Sequence, residues 1–304
     1  MSGFRHPCYE KNKGMSKLAL GTVQFGLSYG IANRKGKILR DEAKEILDLA
    51  RAENINFIDT ASSYGDSEEI LGEIGVHDFN VVTKLAPLKA DTRNIILWTN
   101  SEIERSIDRL KVNSLYGLLL HRVDQLKGPE GKCIAASLEK MRVNGVIQKL
   151  GVSIYSPHDL DFLENILDVD IVQAPLNLID RRLVTSGWMK KLHERGAEIH
   201  VRSTFLQGLL LLPRSEIPEK FNKWSRIWDL WHEGLLKRNI SAVSACLQYP
   251  LSLPFVDKIV VGVDSQSHLR ELISASKTSF KNHDWNELVS EDEQLINPFN
   301  WEYL

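Results

Sequence analysis

Cysteine is scarce in this chain, and the three that are present form no disulfide or metal-binding pattern. Cys8, Cys133 and Cys246 are far apart in a sequence of 304 residues, and no two of them form a C-x-x-C pair. Small proteins held by disulfides or by structural zinc carry dense or regularly spaced cysteines. The sequence therefore predicts neither a disulfide framework nor a metal site.

Long apolar runs and clusters of basic charge are also missing. No stretch approaches the roughly 20 apolar residues that a membrane-spanning helix needs, and residues 2–7 lack the apolar core of a signal peptide. The formal net charge is −2 and there is no block of lysines and arginines, which argues against a nucleic-acid partner. We expect a cytoplasmic protein with no membrane or nucleic-acid partner, whose oligomeric state the sequence leaves open.

The chain does contain a regular alternation of short apolar runs and helical segments. Eight runs are typical of strands buried on both faces. They cover residues 18–21, 56–60, 80–84, 115–120, 150–153, 171–174, 198–203 and 258–261. Between the first two, Ala43, Ile46, Leu47 and Ala50 share one helical face. In a chain long enough for a barrel of roughly 250 residues, this alternation predicts an α/β fold, a single-domain (β/α)8 TIM barrel.

The two ends of the chain fall outside this pattern. Residues 1–14 show no periodicity and little apolar surface, so we expect a disordered extension that precedes a barrel domain over residues 15–304. Residues 284–304 are polar and then aromatic. We expect them to pack across the barrel exterior as an added helix and tail.

Four polar residues stand at or just past the ends of the second, third and fourth apolar runs. They are Asp59, Tyr64, Lys84 and His121. The C-terminal ends of parallel barrel strands meet on one face. We therefore expect a tyrosine, a lysine, an aspartate and a histidine to share one pocket.

Together these side chains suit the reduction of a carbonyl. Free tyrosine has a pKa of about 10, and a nearby ammonium such as that of Lys84 would lower the pKa of Tyr64 by stabilising the phenolate. Tyr64 could then protonate a developing alkoxide. Asp59 would keep the buried Lys84 charged, and His121 would donate a hydrogen bond that orients the carbonyl oxygen.

The residues around these four resemble the signature of the aldo-keto reductase superfamily. Most of the resemblance lies in residues 57–68, Phe-Ile-Asp-Thr-Ala-Ser-Ser-Tyr-Gly-Asp-Ser-Glu. Further matches follow in family order at residues 82–84, 119–121, 145–153 and 172–177. Several motifs in one order make chance a poor explanation.

The resemblance implies a TIM barrel that binds NADP(H) or NAD(H) at the C-terminal face of its strands without a Rossmann domain, and the chain contains no G-x-G-x-x-G motif. It also implies that Tyr64 is the general acid, that Lys84 and Asp59 tune it, and that His121 orients the carbonyl. Residues 26–33 and 201–208 look most like bacterial aldo-keto reductases associated with sugar and polysaccharide metabolism. The implied partner is a small carbonyl compound or sugar.

A set of cofactor-binding residues follows from the same resemblance. They are Gly21, Thr22, Val23, Asp59, Ser153, Gln173, Phe205, Leu206, Gln207, Gly208, Gly262, Asp264, Ser265, His268 and Glu271. Ser153 and Gln173 are the implied partners of the nicotinamide carboxamide, and Phe205 is the implied stacking surface for its ring. The family often has asparagine after Ser153, where this chain has Ile154, so one hydrogen bond to the carboxamide is in question.

Cofactor choice is a second departure from the family. NADPH-preferring members commonly place a lysine or arginine against the 2′-phosphate in the loop after the eighth strand, because a dianion needs charge-assisted partners. Here Asp264 and His268 occupy that loop, and Arg270 lies two residues past the usual basic position. Asp264 would repel a phosphate but accept a hydrogen bond from a free 2′-hydroxyl. We predict a weakened NADPH preference, with NADH usable.

Aromatic residues are candidates for the substrate pocket. Trp224, Trp228 and Trp231 recur at helical spacing, which is most typical of core or lid packing. A long loop after the seventh strand would nevertheless overhang the barrel mouth. In that case Trp224 and Trp228, with Phe25, would wall the pocket.

Two other functions stay open on the sequence alone. A class I aldolase would use Lys84 as a Schiff base, but it needs this lysine neutral, whereas Asp59 would keep it charged. A regulatory subunit that binds the nucleotide with little turnover would also keep the fold. The complete set of four polar residues argues against the second alternative.

Overall fold

Eight parallel strands form a closed barrel in this computed structural model, which describes residues 16–89, 91–163, 166–278 and 284–304. The strands pair in chain order, and β1 closes the barrel against β8 with Leu18 opposite Ile259. The predicted (β/α)8 fold is confirmed. The strands are β1 Leu18–Gly21, β2 Phe57–Asp59, β3 Asn80–Leu85, β4 Leu115–Leu120, β5 Ile147–Ser153, β6 Ile171–Pro175, β7 Glu198–Arg202 and β8 Lys258–Gly262.

Helices connect the strands and cover the outside of the barrel. In the described ranges they are α1 Val23–Gly26, α2 Arg40–Ala52, α3 Ser67–Ile74, α4 Ile95–Leu110, α5 Glu130–Val143, α6 Asp159–Leu163, α7 Arg182–Thr185, α8 Trp188–Glu194, α9 Ser225–Arg238, α10 Ala242–Ser252, α11 Gln266–Lys277 and α12 Glu293–Ile296. The apolar stripe predicted for residues 40–50 is buried in α2. Short 3-10 segments are Val123–Leu126, Leu206–Leu211, Arg214–Glu216, Glu219–Trp224, Asn286–Leu288 and Pro298–Tyr303.

Alternation along the strands decides which side chains point into the barrel. A small apolar cluster fills the interior and is formed by Ala19, Phe57, Val82, Leu119 and Ile171. Side chains two residues apart on a strand face the same way. The positions two residues further along are Gly21, Asp59, Lys84, His121 and Gln173. The polar residues of the predicted site are therefore the next interior layer, at the C-terminal end of the barrel.

A second, larger core lies between the strands and the helices and continues under the segment that follows β7. Trp228 and Trp231 are fully buried there, and Trp228 Nε1 donates to the carbonyl oxygen of Phe221 at 2.9 Å. The ring of Phe221 meets that of Trp301 edge to face, with centroids 4.9 Å apart. Core packing is thus the role of this tryptophan stripe, and the C-terminal segment is part of that core.

The structure tests only part of the predictions about the N-terminal extension, the cysteines and a membrane-spanning helix. The predicted extension over residues 1–14 lies outside the described residues, as does Cys8. Within the described ranges, Cys133 and Cys246 are free thiols and no group of acidic, histidine or cysteine side chains is arranged to hold a metal. None of the helices described here is long and apolar enough to cross a membrane.

Candidate active site

The ion pair between Lys84 and Asp59 is the centre of the site. Lys84 Nζ donates to both carboxylate oxygens of Asp59, at 2.8 and 2.7 Å, and to the carbonyl oxygen of Thr60 at 2.9 Å. The same nitrogen lies 3.4 Å from Tyr64 Oη. Only 1% of the Lys84 surface is exposed, so the lysine is buried next to the tyrosine. The structure brings these three predicted residues into direct contact.

Burial dominates the proton affinities of these groups. It lowers the pKa of Lys84, and the Asp59 carboxylate partly restores it. For Tyr64, burial and then the Asp59 carboxylate raise the pKa of the phenol above its usual value. Our expectation of a lowered Tyr64 pKa is wrong for this arrangement, because burial and then the Asp59 carboxylate outweigh the effect of the neighbouring Lys84 ammonium. Tyr64 is therefore a neutral phenol that holds a proton to donate.

His121 faces Tyr64 across the same pocket. The two rings meet edge to face with centroids 5.8 Å apart. Burial, followed by the positive charges of Lys84 and Arg202, lowers the pKa of His121 to about 3, so the imidazole is neutral at physiological pH. Its Nδ1 lies 3.0 Å from Ser63 Oγ. If Ser63 donates this hydrogen bond, the ring proton sits on Nε2, where it can be donated to a substrate oxygen.

A cavity of about 400 Å³ opens above these residues and extends to the loop after β8. Tyr64, His121 and Asp59 line one part of it. Other residues of the predicted cofactor set that line it are Gly21, Thr22, Val23, Ser153, Gln173, Phe205, Gln207, Gly208, Gly262, Asp264 and His268. One continuous space thus joins the catalytic residues to most of the predicted cofactor positions.

Three predicted cofactor residues do not line this cavity. Leu206 is fully buried in the hydrophobic core, and Ser265 caps helix α11 by accepting from the backbone N–H of His268. Glu271 is exposed on α11. Their implied contacts with a cofactor have no support in the geometry.

The predicted substrate-pocket residues also lie elsewhere. Phe25 is fully buried in the core, and Trp224 and Trp228 pack with Phe221 in the segment after β7. The assignment of these three residues to the pocket wall is wrong, because their rings are buried in the hydrophobic core. Side chains that line the mouth instead are Tyr29, Tyr155, Arg202 and Phe299.

These mouth residues form a connected set that the sequence patterns did not single out. The Tyr155 and Phe299 rings meet edge to face at 5.0 Å, and the Arg202 guanidinium lies 4.6 Å from the centroid of Tyr155. Tyr29 Oη accepts a hydrogen bond from Gln207 Nε2 at 2.7 Å. Phe299 belongs to the tail that we expected on the barrel exterior. The sequence signal that could have identified Arg202 is the alternation along β7, which points it to the same side as the interior residue His200.

The cavity fits a nicotinamide dinucleotide in several respects. A β-carbon added at Gly208 would meet that of Ala32 at 2.7 Å, and Gly208 has a φ of +92°, so this position needs glycine to keep the cavity wall close. Two buried polar atoms in the cavity wall, Gln24 Oε1 and Thr204 Oγ1, have no hydrogen-bond partner among the described residues. Unpartnered buried polar atoms are the exception in proteins, and a bound polar ligand would satisfy them.

Ser153 and Gln173, the implied carboxamide partners, are buried side by side. Gln173 Nε2 donates to Asp59 Oδ1 at 2.6 Å, and Ser153 Oγ donates to Gln173 Oε1 at 3.5 Å. The side chain of Ile154 packs in the hydrophobic core. This residue therefore offers no side-chain hydrogen bond to a carboxamide, in line with its departure from the family pattern.

Comparisons with curated proteins give relatives of moderate identity. Aldo-keto reductase YhdN of Bacillus subtilis is 27% identical over 183 residues, which cover 56% of this chain and 53% of that protein. D-arabinose 1-dehydrogenase of Saccharomyces cerevisiae is 24% identical over 278 residues, covering 83% of this chain and 81% of that protein. The match thus spans about half the length of the first relative and most of the second.

Solved structures share the fold. Aldo-keto reductase AKR11C1 from Bacillus halodurans, in its holo form, superposes with a TM-score of 0.73 at 19% identity, covering 92% of this chain and 95% of that one. Glycerol dehydrogenase AKR11B4 from Gluconobacter oxydans gives a TM-score of 0.68 at 23% identity, covering 93% of each chain. The sequence pattern of the Aldo/keto reductase family matches residues 17–293. The chain therefore belongs to the aldo/keto reductase family, a family of NAD(P)-dependent oxidoreductases.

Proposed function

We propose that this protein interconverts a carbonyl compound (an aldehyde, ketone or sugar) and an alcohol, with NADP(H) or NAD(H) as cofactor. The observation that supports this best is the position of Lys84 Nζ, which contacts both oxygens of Asp59 and lies 3.4 Å from Tyr64 Oη. The bound cofactor supplies or accepts the hydride. The residues of the chain handle the proton and the orientation of the carbonyl.

Each of the four polar residues has a distinct part in this proposal. Tyr64 gives its phenolic proton to the carbonyl oxygen as the carbonyl carbon accepts the hydride, and Lys84 stabilises the phenolate that remains. Asp59 holds the Lys84 ammonium in place and charged. Neutral His121 donates from Nε2 to the carbonyl oxygen and fixes its direction. When an alcohol is oxidised, the same groups carry out the reverse steps, and Tyr64 accepts the proton.

The aldolase alternative finds no support in the geometry. A Schiff-base lysine must present a neutral amine to the substrate carbonyl. Lys84 Nζ instead makes three short hydrogen bonds, and the side chain is almost wholly buried behind Tyr64. A regulatory role without turnover also lacks support, because the proton donor, its tuning pair and the histidine are all in place.

Two carboxylates near the adenosine end favour the use of NADH. His268 Nδ1 lies 3.4 Å from Asp264 Oδ1, so the imidazole nearest to this end already has an acidic partner. Glu42 Oε1 accepts from the backbone N–H of Gln266 at 2.6 Å, at the first turn of helix α11. This N–H is one that a phosphate would otherwise bind. We propose that the protein uses NADH at least as well as NADPH.

Substrate and location are finer proposals. One relative carries the name D-arabinose 1-dehydrogenase, and the aromatic rings of Tyr29, Tyr155 and Phe299 at the cavity mouth suit the apolar face of a sugar ring. We therefore place small sugars and related aldehydes among the substrates. A cytoplasmic location stays a prediction from the sequence.

The test is a Tyr64→Phe variant assayed with a panel of aldehydes, ketones and aldoses at the absorbance band of the reduced nicotinamide. Loss of the proton donor should lower kcat by about 10² to 10⁴-fold, while the Kd for NADH, from fluorescence titration, stays within about threefold of the parent value. Tyr116→Phe is a matched control, because it removes a phenol at the opposite end of the barrel. Turnover of Tyr64→Phe within a few-fold of the parent would refute the assigned role.

A further inference from the structure

Arg202 is a guanidinium in the cavity wall that has no acidic partner among the described residues. It ends strand β7 and lines the cavity together with Tyr64 and His121. No carboxylate of the described residues lies within 4.0 Å of it. The other charged groups of the cavity wall are matched: Asp59 pairs with Lys84 and Asp264 with His268.

The direction of Arg202 is set by the barrel. His200, two residues earlier on β7, lies in the interior against the ring of Phe57, with centroids 5.9 Å apart. Alternation along the strand therefore points Arg202 into the same space, one layer closer to the mouth. The turn that follows is held in place as well, because Ser203 has a positive φ of 58° and its carbonyl oxygen accepts from Asn177 Nδ2 at 3.0 Å.

Contacts hold the guanidinium but leave donors free. Nη2 donates to the carbonyl oxygen of Ile154 at 2.9 Å and Nη1 to Ser203 Oγ at 3.2 Å, while Cζ lies 4.6 Å from the centroid of the Tyr155 ring. A guanidinium carries five N–H donors in a fixed fork, so three have no partner among the described residues. The charge of Arg202 also acts on His121. Burial is the largest cause of the lowered pKa of His121, and the positive charges of Lys84 and Arg202 lower it further.

We propose that Arg202 binds an anionic group of the substrate, a carboxylate or a phosphate, and makes the enzyme selective for acidic aldehydes, ketones and sugars. This inference rests on the proposed carbonyl reduction at Tyr64. A half-buried guanidinium without a counter-ion is costly to desolvate, and its planar fork matches the two oxygens of a carboxylate or phosphate. The anion would lie at the mouth while the carbonyl reaches Tyr64 and His121.

A second anion could meet the same guanidinium, namely the pyrophosphate of the cofactor. The placement of Arg202 favours the substrate. Its charge acts on Tyr64, Lys84 and His121, and it stacks on Tyr155, which itself packs on Phe299 of the C-terminal tail. These residues surround the catalytic end of the cavity. The Kd for NADH of each variant, measured beside its substrate preference, distinguishes a substrate anion from the pyrophosphate.

The experiment compares pairs of substrates in which one member carries a carboxylate in place of an uncharged group. The pairs are 4-oxobutanoate with butanal, and glucuronate with glucose, and each is assayed with the parent, Arg202→Gln, Arg202→Lys and Arg122→Gln. Arg122 is the matched control, because it also lies near the cavity mouth over an aromatic ring, that of Phe299 at 6.0 Å, but already pairs with Asp124. The Kd for NADH is measured for every variant by fluorescence titration.

We expect the parent to prefer the acidic member of at least one pair by tenfold or more in kcat/KM. Arg202→Gln should abolish this preference, because kcat/KM falls at least tenfold more for the acidic member than for the neutral one, while the Kd for NADH stays within threefold. Arg202→Lys keeps the charge without the fork and should give an intermediate preference, and Arg122→Gln should match the parent. A parent without any preference overturns the proposal. An Arg202→Gln variant also overturns the proposal if its kcat/KM falls equally for both members of a pair and it binds NADH at least tenfold more weakly. That result would assign the residue to the cofactor.

A binding measurement separates this inference from the proposed function. Butanedioate carries carboxylates but no aldehyde or ketone group, and its Kd for the NAD⁺-saturated protein can be measured by calorimetry without turnover. Binding that Arg202→Gln weakens at least tenfold supports the anion site even if no carbonyl substrate is reduced, in which case the proposed function fails alone. Equal binding of butanedioate to the parent and Arg202→Gln, with active reduction of neutral aldehydes, overturns the anion site and leaves the proposed function standing.

Discussion

Removal of Lys84 should destabilise the protein as well as inactivate it. In a Lys84→Met variant the Asp59 carboxylate keeps the donor Gln173 Nε2 at 2.6 Å but loses both hydrogen bonds from Nζ. Asp59 is only 5% exposed and Lys84 1%, so solvent cannot replace the lost cation. Breaking a buried ion pair by removing one partner typically costs about 3–5 kcal/mol.

The double variant Asp59→Asn/Lys84→Met distinguishes an ion pair from a loss of packing. Since the buried carboxylate is gone, we expect the free energy of unfolding, measured by urea denaturation, to recover by about 2 kcal/mol or more relative to Lys84→Met alone. Both variants should lose carbonyl reduction by about 10² to 10⁴-fold, because Tyr64 has lost the cation next to its hydroxyl. A Lys84→Met variant destabilised by less than about 1 kcal/mol, or strictly additive effects in the cycle, would refute the reasoning.

Three further predictions concern neighbouring parts of the molecule. Ser63→Ala should lower kcat by roughly tenfold with little change in the Kd for NADH, because His121 loses the hydrogen bond that sets its proton on Nε2; an unchanged kcat would count against this role. Gly26→Ala should strongly reduce both thermal stability and activity, since the added β-carbon would lie 1.7 Å from the carbonyl oxygen of Tyr64; a variant with the parent melting temperature and kcat would contradict this. At the other end of the barrel, burial alone raises the pKa of Glu198, but hydrogen bonds from His200, Lys149 and Tyr116 lower it to about 2. The stability that this depressed pKa contributes is present above about pH 4.5, is lost as pH falls towards 2, and amounts to about 3 kcal/mol. Glu198→Gln should therefore reduce the dependence on pH of the free energy of unfolding, measured by urea denaturation over this range. An unchanged dependence on pH would show that another group titrates.

Asp59 and Lys84 were predictable because the physics that places them is local. Asp59 and Lys84 directly end or continue short apolar strands, and strands of a parallel barrel bring their C-terminal ends to one face. The alternation of side chains then makes Asp59 and Lys84 the next interior layer above Phe57 and Val82. Neither result needed knowledge of loops.

The cavity mouth was not predictable in the same way, because loops and the tail build it. Phe299 lies 144 residues after Tyr155 in the chain, yet the two rings meet edge to face. The rings of Trp224 and Trp228 lie in the core against Phe221, which itself packs on Trp301 of the C-terminal tail. Local periodicity shows that a stripe is buried, but it does not show against what.

The sequence by itself determined the barrel, its strand order and the convergence of Asp59, Tyr64 and Lys84, since periodicity and strand ends are properties of short segments. Tertiary structure decided the proton affinities and which side chains line the cavity mouth. The raised pKa of Tyr64 depends on burial and on the distance to Asp59, and the free donors of Arg202 depend on which acids lie near it in space. Electrostatic interactions act through space in a low-dielectric interior, so their balance depends on distances that only the folded chain sets.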